Sequence, residues 1–295
     1  MKKLEVVDVA SFVKYIADIG EQLNNSRWIL NGSLLFRGQC NCDFELLPSI
    51  ARNYKGQKSP LLCKERELVE SVMMHLPHIF EHSFEPIELL ALLQHYGVPT
   101  RLLDVTENAL VALFFACCEE FQKDGEVIVF CQNENNTRVR TLVNAIADTY
   151  RFANSETTYL NSFYGSVIYQ PYYLEQKYII EDSRTTPNDG AVYLKHYAVS
   201  PIFTYAQIHS PRQQIQAGRY LIFPNNISVQ DGLLAFDREI TPIPKDHDCI
   251  VGYITVKQEA KQSILKTLRL LGITEKSLFP DNTDIVCKGI VNSFI

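Results

Sequence analysis

Residues 86–122 read PIELLALLQHYGVPTRLLDVTENALVALFFACCEEFQ, a stretch in which two strongly apolar segments are joined by a short polar connection. Helical periodicity predicts one helix over residues 86–96, with a proline at its start and Gly97 just past its end. A second helix is predicted over residues 107–122, capped by Thr106 and apolar on nearly every side. We therefore expect both helices to be buried near the centre of the fold.

The connection itself, residues 95–106, carries many polar side chains in an apolar setting, and such groups need partners. One interpretation is structural: Asp104 and Thr106 cap the following helix, and Arg101 pairs with Asp104. The other is that these side chains line a pocket at the ends of the helices. The connection alone does not choose between them.

Two further polar clusters are flanked by apolar elements. Residues 34–36 predict a short strand that delivers Arg37, and Gly38 follows, so that a backbone or ligand can approach closely. An arginine there would grip a phosphate or carboxylate at two points, or it would form a buried ion pair. The third cluster spans residues 210–220, in which Gln216 can both donate and accept hydrogen bonds to a ribose or an amide.

The remaining patterns predict an α+β fold. Helices are predicted over residues 8–24 with Asp8 as N-cap, over 61–82 with an interruption at Pro77, and over 258–271 before Gly272. The predicted strands are 126–131, 165–169, 177–181, 190–197, 219–223 and 249–256. We expect a single α+β domain over residues 30–295, with helices in its N-terminal half and a mixed or antiparallel sheet in its C-terminal half, preceded by an N-terminal helical attachment over residues 1–29.

Composition excludes several classes of protein. The chain has 295 residues, of which 46% are hydrophobic and 21% charged, which excludes disorder as the main state. No apolar run is long enough to span a membrane, and acidic residues interrupt any signal peptide, so we expect a cytoplasmic protein without a membrane partner. Eight cysteines without regular spacing indicate reduced thiols. A net charge of -6 argues against a dedicated nucleic-acid coat.

Generic catalytic motifs are scarce. The chain has no nucleophile elbow, P-loop or dinucleotide-binding glycine fingerprint. His78-Ile79-Phe80-Glu81-His82 matches the pattern of inverted zinc peptidases, in which two histidines bind the metal. Pro77 precedes this motif directly, and no third ligand stands out, so a helix end with incidental histidines is favoured and no metal is expected. A zinc peptidase stays as a minor alternative.

The three polar clusters, in this order, resemble the FRG domain family, which is named for the Phe-Arg-Gly motif that stands here at residues 36–38. The resemblance covers about residues 30–290 and includes Leu47-Pro48-Ser49 with Arg52 following, the block from His95 to Ala116, and the late pattern of Arg212, Gln216, Gly218 and Tyr220. One departure is Val105, where the family usually shows tryptophan after the aspartate.

The order of these motifs is similar to the layout of ADP-ribosyltransferases, and this implies NAD as substrate. In that layout Arg37 holds the dinucleotide, with Gly38 and Gln39 beside it. The nicotinamide side would be lined by Tyr96, Thr100 and Asp104, and Arg101 and Thr106 would also bind the cofactor. Gln216 would occupy the late position where such transferases carry glutamate. Because an amide carries no negative charge, Asp104 would supply the charge that stabilises a cationic transition state. The implied catalytic residues are Arg37, Asp104 and Gln216.

The function expected from this resemblance is transfer of ADP-ribose from NAD to a macromolecule, in a bacterial toxin or antiphage defence effector. The acceptor, whether RNA, DNA or protein, stays open, and a toxin would also need a neutralising antitoxin protein. The alternative is a non-catalytic nucleotide-binding or interaction module, which is favoured by Gln216 in place of glutamate.

Overall fold

A computed structural model describes residues 3–25, 34–54, 56–59, 61–80, 84–132, 140–152, 158–174, 200–207 and 210–281. Its strands are β1 (Lys3–Val6), β2 (Leu34–Gln39), β3 (Leu102–Thr106), β4 (Gly125–Cys131), β5 (Thr158–Tyr159), β6 (Ile202–Thr204), β7 (Gly218–Ile222), β8 (Ile227–Gln230), β9 (Leu233–Phe236) and β10 (Ile250–Val256). Its α-helices are α1 (Val9–Asn25), α2 (Glu65–His75), α3 (Pro86–His95), α4 (Ala109–Cys117), α5 (Arg140–Ala147), α6 (Thr149–Phe152), α7 (Leu160–Val167), α8 (Pro171–Leu174), α9 (Pro211–Ile215), α10 (Lys261–Leu270) and α11 (Glu275–Leu278). Short 3-10 helices cover Ser49–Ala51, Leu62–Lys64 and Gln258–Ala260.

Seven of these strands form one mixed sheet in the order β1-β10-β4-β2-β3-β7-β6. The pair β1–β10 is parallel, and the other neighbours are antiparallel. Strands β5, β9 and β8 form a separate small antiparallel sheet. The fold is therefore α+β with a mixed sheet, as the sequence predicts.

Strands β2 and β3, at the centre of the large sheet, scarcely pair. Their ladder is reduced to Phe36 opposite Thr106, whereas β2 pairs with β4 over its whole length and β3 pairs fully with β7. The sheet thus divides into two halves that part beyond Phe36. Backbone groups next to such a split are available to side chains and ligands rather than to a neighbouring strand.

One face of the sheet carries two different apolar clusters, one on each half. On the β1-β10-β4-β2 half, helices α1, α4 and α10 pack over residues such as Phe36 and Val129. On the β3-β7-β6 half, helices α3, α5 and α7 pack over Leu102 and Ile222. These residues share a face because cross-strand partners lie on the same side, as Phe36 and Thr106 do. The boundary between the two clusters therefore lies above the split in the sheet.

Helix α4 packs directly against the backbone of β2. A Cβ atom added to Gly38 would lie 1.8 Å from the carbonyl oxygen of Ala112, and one added to Gly125 on β4 would lie 2.1 Å from that of Ala116. Since carbon and oxygen atoms do not approach so closely, only glycine fits at these two positions. The glycine of the Phe-Arg-Gly motif thus lets a helix lie on the strand.

A buried lysine ties the same elements together. Lys261, the first residue of α10, is completely inaccessible to solvent. Its Nζ donates to the carbonyl oxygens of Cys40 at 2.6 Å, Glu119 at 3.0 Å and Glu120 at 2.9 Å. All three ammonium hydrogens therefore have acceptors, as a buried charge requires. The end of β2, the segment after α4 and the start of α10 are joined at one point.

Most predicted elements with local signals are confirmed. Helix α1 begins after Asp8, whose carboxylate accepts from the backbone N–H of Ser11 at 2.7 Å. Helix α3 has Pro86 in its first turn, and Gly97 and Gly272 take positive φ angles of 81° after α3 and α10. The strands predicted at 126–131, 219–223 and 249–256 are confirmed within one residue as β4, β7 and β10.

Three predictions about elements are wrong. Strands and helices do not segregate by halves, because β1–β4 come from the first half of the chain and several helices from the second. Residues 102–106, predicted as a helix–helix connection, form β3, and α4 is shorter than predicted and is capped by Asn108 instead of Thr106. Residues 165–169, predicted as a strand, belong largely to α7, whose apolar residues face the core at helical spacing. The predicted strands at 177–181 and 190–197 lie outside the described residues.

The N-terminal segment shares its core with the rest of the protein. Strand β1 pairs with β10 at the edge of the large sheet. Val9, Phe12 and Ile19 of α1 are buried in the cluster that also contains α4 and α10. Part of the segment predicted as a helical attachment over residues 1–29 is thus integrated into the sheet.

Candidate functional site

A cavity of about 270 Å³ opens at the split between β2 and β3. It lies between the two apolar clusters, since α3 on one side and α4 on the other both line it. Residues from all three polar clusters of the sequence meet there, namely Phe36, Arg37, Gly38, His95, Asp104, Thr106, Ser210, Arg212, Gln216, Gly218 and Tyr220. Residues separated by as many as 184 positions in the chain therefore form one site.

The side chain of Arg37, on β2, reaches across the split to the backbone of β3. Its Nη1 donates to the backbone carbonyl of Asp104 at 2.7 Å, and its Nε donates to Oε1 of Gln39 at 3.3 Å. Gln39 is buried and is itself held, because its Nε2 donates to the carbonyl of Phe44 and to the carboxylate of Glu126. Loss of solvent lowers the pKa of Arg37 to about 10, although the charge of Asp104 opposes this shift. Gln39 thus positions the arginine rather than lining the same cavity.

Asp104 presents its carboxylate to the cavity through a fixed contact. Oδ1 accepts from Nε2 of Gln94 at 2.8 Å. Oε1 of the same amide accepts from the hydroxyl of Thr100, which fixes which end of the amide faces Asp104. Asp104 is solvent-exposed on β3, and it is the only acidic residue that lines this cavity among the residues the structure describes. These two hydrogen bonds hold the carboxylate of Asp104 at the wall of the cavity.

Gln216 lies in a turn that is clamped to the end of β3. Its backbone carbonyl accepts from the hydroxyl of Thr106 at 2.6 Å, and the next carbonyl, of Ala217, accepts from the N–H of Glu107. Ala217 has a φ of 45°, a left-handed conformation that an alanine adopts at a cost. The side-chain Nε2 of Gln216 donates to the carbonyl of Leu278 at 3.0 Å. One end of this amide is therefore engaged by the protein itself.

The opposite wall of the cavity carries a histidine and an arginine. His95 Nε2 lies 3.3 Å from a carboxylate oxygen of Asp281. Burial lowers the pKa of His95, with Arg212 acting in the same direction and Asp281 against it. The guanidinium of Arg212 stacks 4.4 Å from the ring centre of Phe279, and Phe115 meets the same ring edge to face. The wall therefore presents one cation, Arg212, backed by the ring of Phe279.

A second cavity of about 500 Å³ adjoins the first, and both are lined by Arg37, Gly38 and Phe115. Gln39, a predicted binding residue, lines this second cavity. So does Arg52, which belongs to the stretch that resembles the family after Leu47-Pro48-Ser49, although the resemblance gives it no role. The second cavity had no separate signal in the sequence, since its walls come from β2, α4, α10 and the segment after α10.

Three predicted binding residues line neither the first nor the second cavity. Tyr96 is half exposed and packs edge to face on His95. Thr100 is buried and acts through Gln94. Arg101 is completely buried, and it bonds Glu65 in a bidentate ion pair instead of pairing with Asp104. Arg101 therefore has the structural role that one interpretation of the connection allows, but with a partner 36 positions away.

Conversely, sequence reasoning missed Gln94 and Phe115. Both lie within predicted helices, and only the packing of those helices on the split sheet brings their side chains to the cavity. Their one sequence signal is that Gln94 is polar on a mostly apolar helix.

The possible metal sites are unconnected with these cavities. His78 lies in a turn beyond the end of α2, and Glu81 and His82 of the same motif lie outside the described residues. Among the described residues, one group of three potential ligands, His247, Asp248 and Cys249, is close enough to hold an ion, and none of them lines either cavity. No helix in the described ranges is long and apolar enough to cross a bilayer.

Comparison with known proteins identifies one family. The family model of the FRG domain matches residues 32–125, which is about a third of the chain. The match confirms the resemblance over β2, α2, α3, β3 and α4, and thus includes Arg37 and Asp104 but ends well before Gln216. No curated protein and no solved structure has significant similarity to the chain.

Proposed function

We propose, on the premise of the FRG domain at residues 32–125, that this protein binds NAD at the split of the sheet and transfers its ADP-ribose to a macromolecule. One observation carries the proposal. An arginine, a carboxylate and an amide from three distant parts of the sequence line one cavity, together with the aromatic ring of Tyr220. Apolar walls with a few convergent polar groups are typical of small-molecule sites.

Each residue has a role that its environment supports. The guanidinium of Arg37 would hold a phosphate of the dinucleotide, because arginine binds phosphate oxygens at two points. The carboxylate of Asp104, held by Gln94, would stabilise the positive charge that develops on the ribose as the bond to nicotinamide breaks. The enzyme otherwise positions donor and acceptor, which is a large part of such catalysis.

A second candidate function rests on Gln216. Its amide donates to the carbonyl of Leu278, and it carries no charge at the position where the transferase layout has glutamate. A protein with this arrangement would bind a nucleotide without turning it over. The non-catalytic module therefore stays as the alternative to the transferase.

We place the proposed transferase in a bacterial toxin or antiphage defence system, with RNA, DNA or protein as acceptor and an antitoxin protein as its neutralising partner. The acceptor class is the first unknown, because surface loops read the acceptor while the cavity binds the donor. The experiment below is designed to identify it.

The test is incubation of purified protein with NAD labelled in the adenylate phosphate, together with separate pools of cellular RNA, DNA and protein. Released nicotinamide and transferred label are both measured. Wild type should release nicotinamide and label one pool. Arg37→Ala should lose about a hundredfold of that activity, since a charge-assisted contact to phosphate is removed. Arg66→Ala is the matched control, because Arg66 is exposed on α2 and pairs with Glu70.

The two candidate functions give different results. Release of nicotinamide that depends on Arg37 and Asp104 supports the transferase. Saturable NAD binding that depends on Arg37, without release or label in any pool, supports the non-catalytic module. If wild type and Arg37→Ala neither bind nor consume NAD, both candidates are wrong.

A further inference from the structure

The second cavity has the size of a ligand site, and the first is small for a dinucleotide. Pockets for drug-sized ligands measure about 300–1,000 Å³. The first cavity, at about 270 Å³, falls below that range, whereas the second measures about 500 Å³. A ligand with two aromatic ends joined by phosphates would therefore need both cavities, with its phosphates where they meet.

Arg37 lies where the two cavities meet, and Arg52 lies near it in the wall of the second cavity; neither has a carboxylate partner among the described residues. Arg37 donates to the backbone carbonyl of Asp104 and to Gln39, and Arg52 donates through Nε to the carbonyl of Leu47 at 3.2 Å. Within the described part of the chain, neither guanidinium lies within 4.0 Å of a carboxylate. By contrast, Arg101 is buried and fully paired with Glu65. Uncompensated cations beside a cavity are what an anion-binding site requires.

The charges around the two arginines leave a net positive junction. Each experiences the attraction of Asp104, and Arg37 also experiences the repulsion of Arg52. Arg269, Glu119 and Glu275 also line the second cavity and are solvent-exposed, so its walls carry three arginines and two glutamates. Partial loss of solvent lowers the pKa of Arg52, and the nearby Asp104 charge opposes this. One carboxylate thus faces two guanidinium groups, and an added anion would balance the second.

Aromatic rings line the second cavity beside this junction. Phe44 is partly exposed there, and its backbone carbonyl is held by Gln39. Phe115 and Phe279 pack edge to face, and their rings also line the cavity. Flat apolar faces next to cations are the platform on which nucleobases stack.

We propose that Arg37 and Arg52 together form a cradle for the diphosphate of an adenine nucleotide, with its adenosine end in the second cavity against Phe44. This inference rests on the proposed function, because the same ligand would extend its other end into the first cavity beside Asp104. It assigns a binding role to Arg52 and Phe44, to which the resemblance gives no role. The ligand class is thereby a nucleoside diphosphate, free or as half of a dinucleotide.

The experiment measures binding by titration calorimetry at constant ionic strength, with pyrophosphate, ADP and adenosine as probes of the full chain. Wild type should bind ADP more tightly than pyrophosphate, and adenosine weakest. Arg52→Gln should weaken ADP and pyrophosphate about ten- to a hundredfold, as expected for a lost charge-assisted contact. Phe44→Ala should weaken ADP roughly tenfold and leave pyrophosphate unchanged. Arg66→Gln removes the same charge from an exposed site and is the matched control.

Arg52→Lys keeps the charge and should retain part of the affinity for ADP, which separates loss of binding from misfolding. Thermal melts of every variant accompany the titrations. Equal ADP affinity of Arg52→Gln and wild type would overturn the cradle. The cradle would also be overturned if a single-stranded oligonucleotide bound to the protein through Arg52 and ADP did not displace it. The second cavity would then hold the acceptor. ADP binding that needs Arg52, in a protein that never releases nicotinamide, supports the cradle while refuting the transferase.

Discussion

Gly38→Ala tests the close packing on which the site is built. A methyl group at residue 38 would lie 1.8 Å from the carbonyl oxygen of Ala112 and 2.8 Å from both the carbonyl carbon of Ala112 and the backbone nitrogen of Ala116. Ordinary contacts begin near 3.4 Å. Because all three atoms belong to the backbone of α4, no side-chain rotation relieves the clash, and the helix must move by more than 1 Å or so.

The expected cost follows from that displacement. Overpacking of a core by one methyl group costs about 1–3 kcal/mol, and a rigid backbone neighbour points to the upper end, about 3 kcal/mol. With an unfolding entropy of about 2.1 cal/mol/K per residue, a chain of this length should then lose about 5 °C in Tm. Movement of α4 also displaces Val111 and Phe115, which line the first cavity. Ligand affinity should therefore fall with stability.

The assay is thermal unfolding followed by circular dichroism, with Gly20→Ala as the matched control. Gly20 lies within α1, and a Cβ there meets nothing within 4 Å. The same substitution should therefore stabilise the protein by about 0.5–1 kcal/mol, because alanine favours helix. Opposite shifts of Tm in the two variants are expected. A Gly38→Ala protein that melts at the wild-type temperature would refute the close approach of α4 to β2.

Two further predictions concern buried charge. Lys261→Met should lower the free energy of unfolding by about 3 kcal/mol or more, since it leaves three carbonyl oxygens without their donor. Lys266→Met, at an exposed position of the same helix, is the control. Equal urea midpoints for the two variants would show that the hydrogen bonds of Lys261 do not stabilise the fold. For His95, burial lowers the pKa in the folded protein below that of the unfolded chain, so the unfolded state binds the proton first and stability falls as pH drops through about 6.5. His95→Gln should therefore lose less Tm than wild type between pH 7 and pH 5, and parallel profiles would show that His95 does not contribute.

Local signals explain which parts of the fold were predictable. Asp8 as a cap, Pro86 in a first turn and the glycines after α3 and α10 act within a few residues, so the sequence alone places those helix ends. The apolar run of β4 is likewise recognisable without its neighbours. Strand β3 was not predicted, because Leu102 and Leu103 are apolar in succession and do not alternate with polar residues. Its extended conformation, which places Asp104 on one face of the sheet, depends on pairing with β7.

Locating the candidate site required both the sequence and the tertiary structure. The residues that the proposed chemistry would need, Arg37, Asp104 and Gln216, stand out in the sequence as polar groups in apolar surroundings. The sequence could not show that Arg101 is paired with Glu65, that Gln94 holds Asp104, or that Arg52 stands beside Arg37. Each of these depends on long-range packing, and the split between β2 and β3 exists because two separate apolar clusters cover the two halves of one sheet. Local patterns determine which groups are present, whereas the tertiary structure determines which of them remain unpaired and face a cavity.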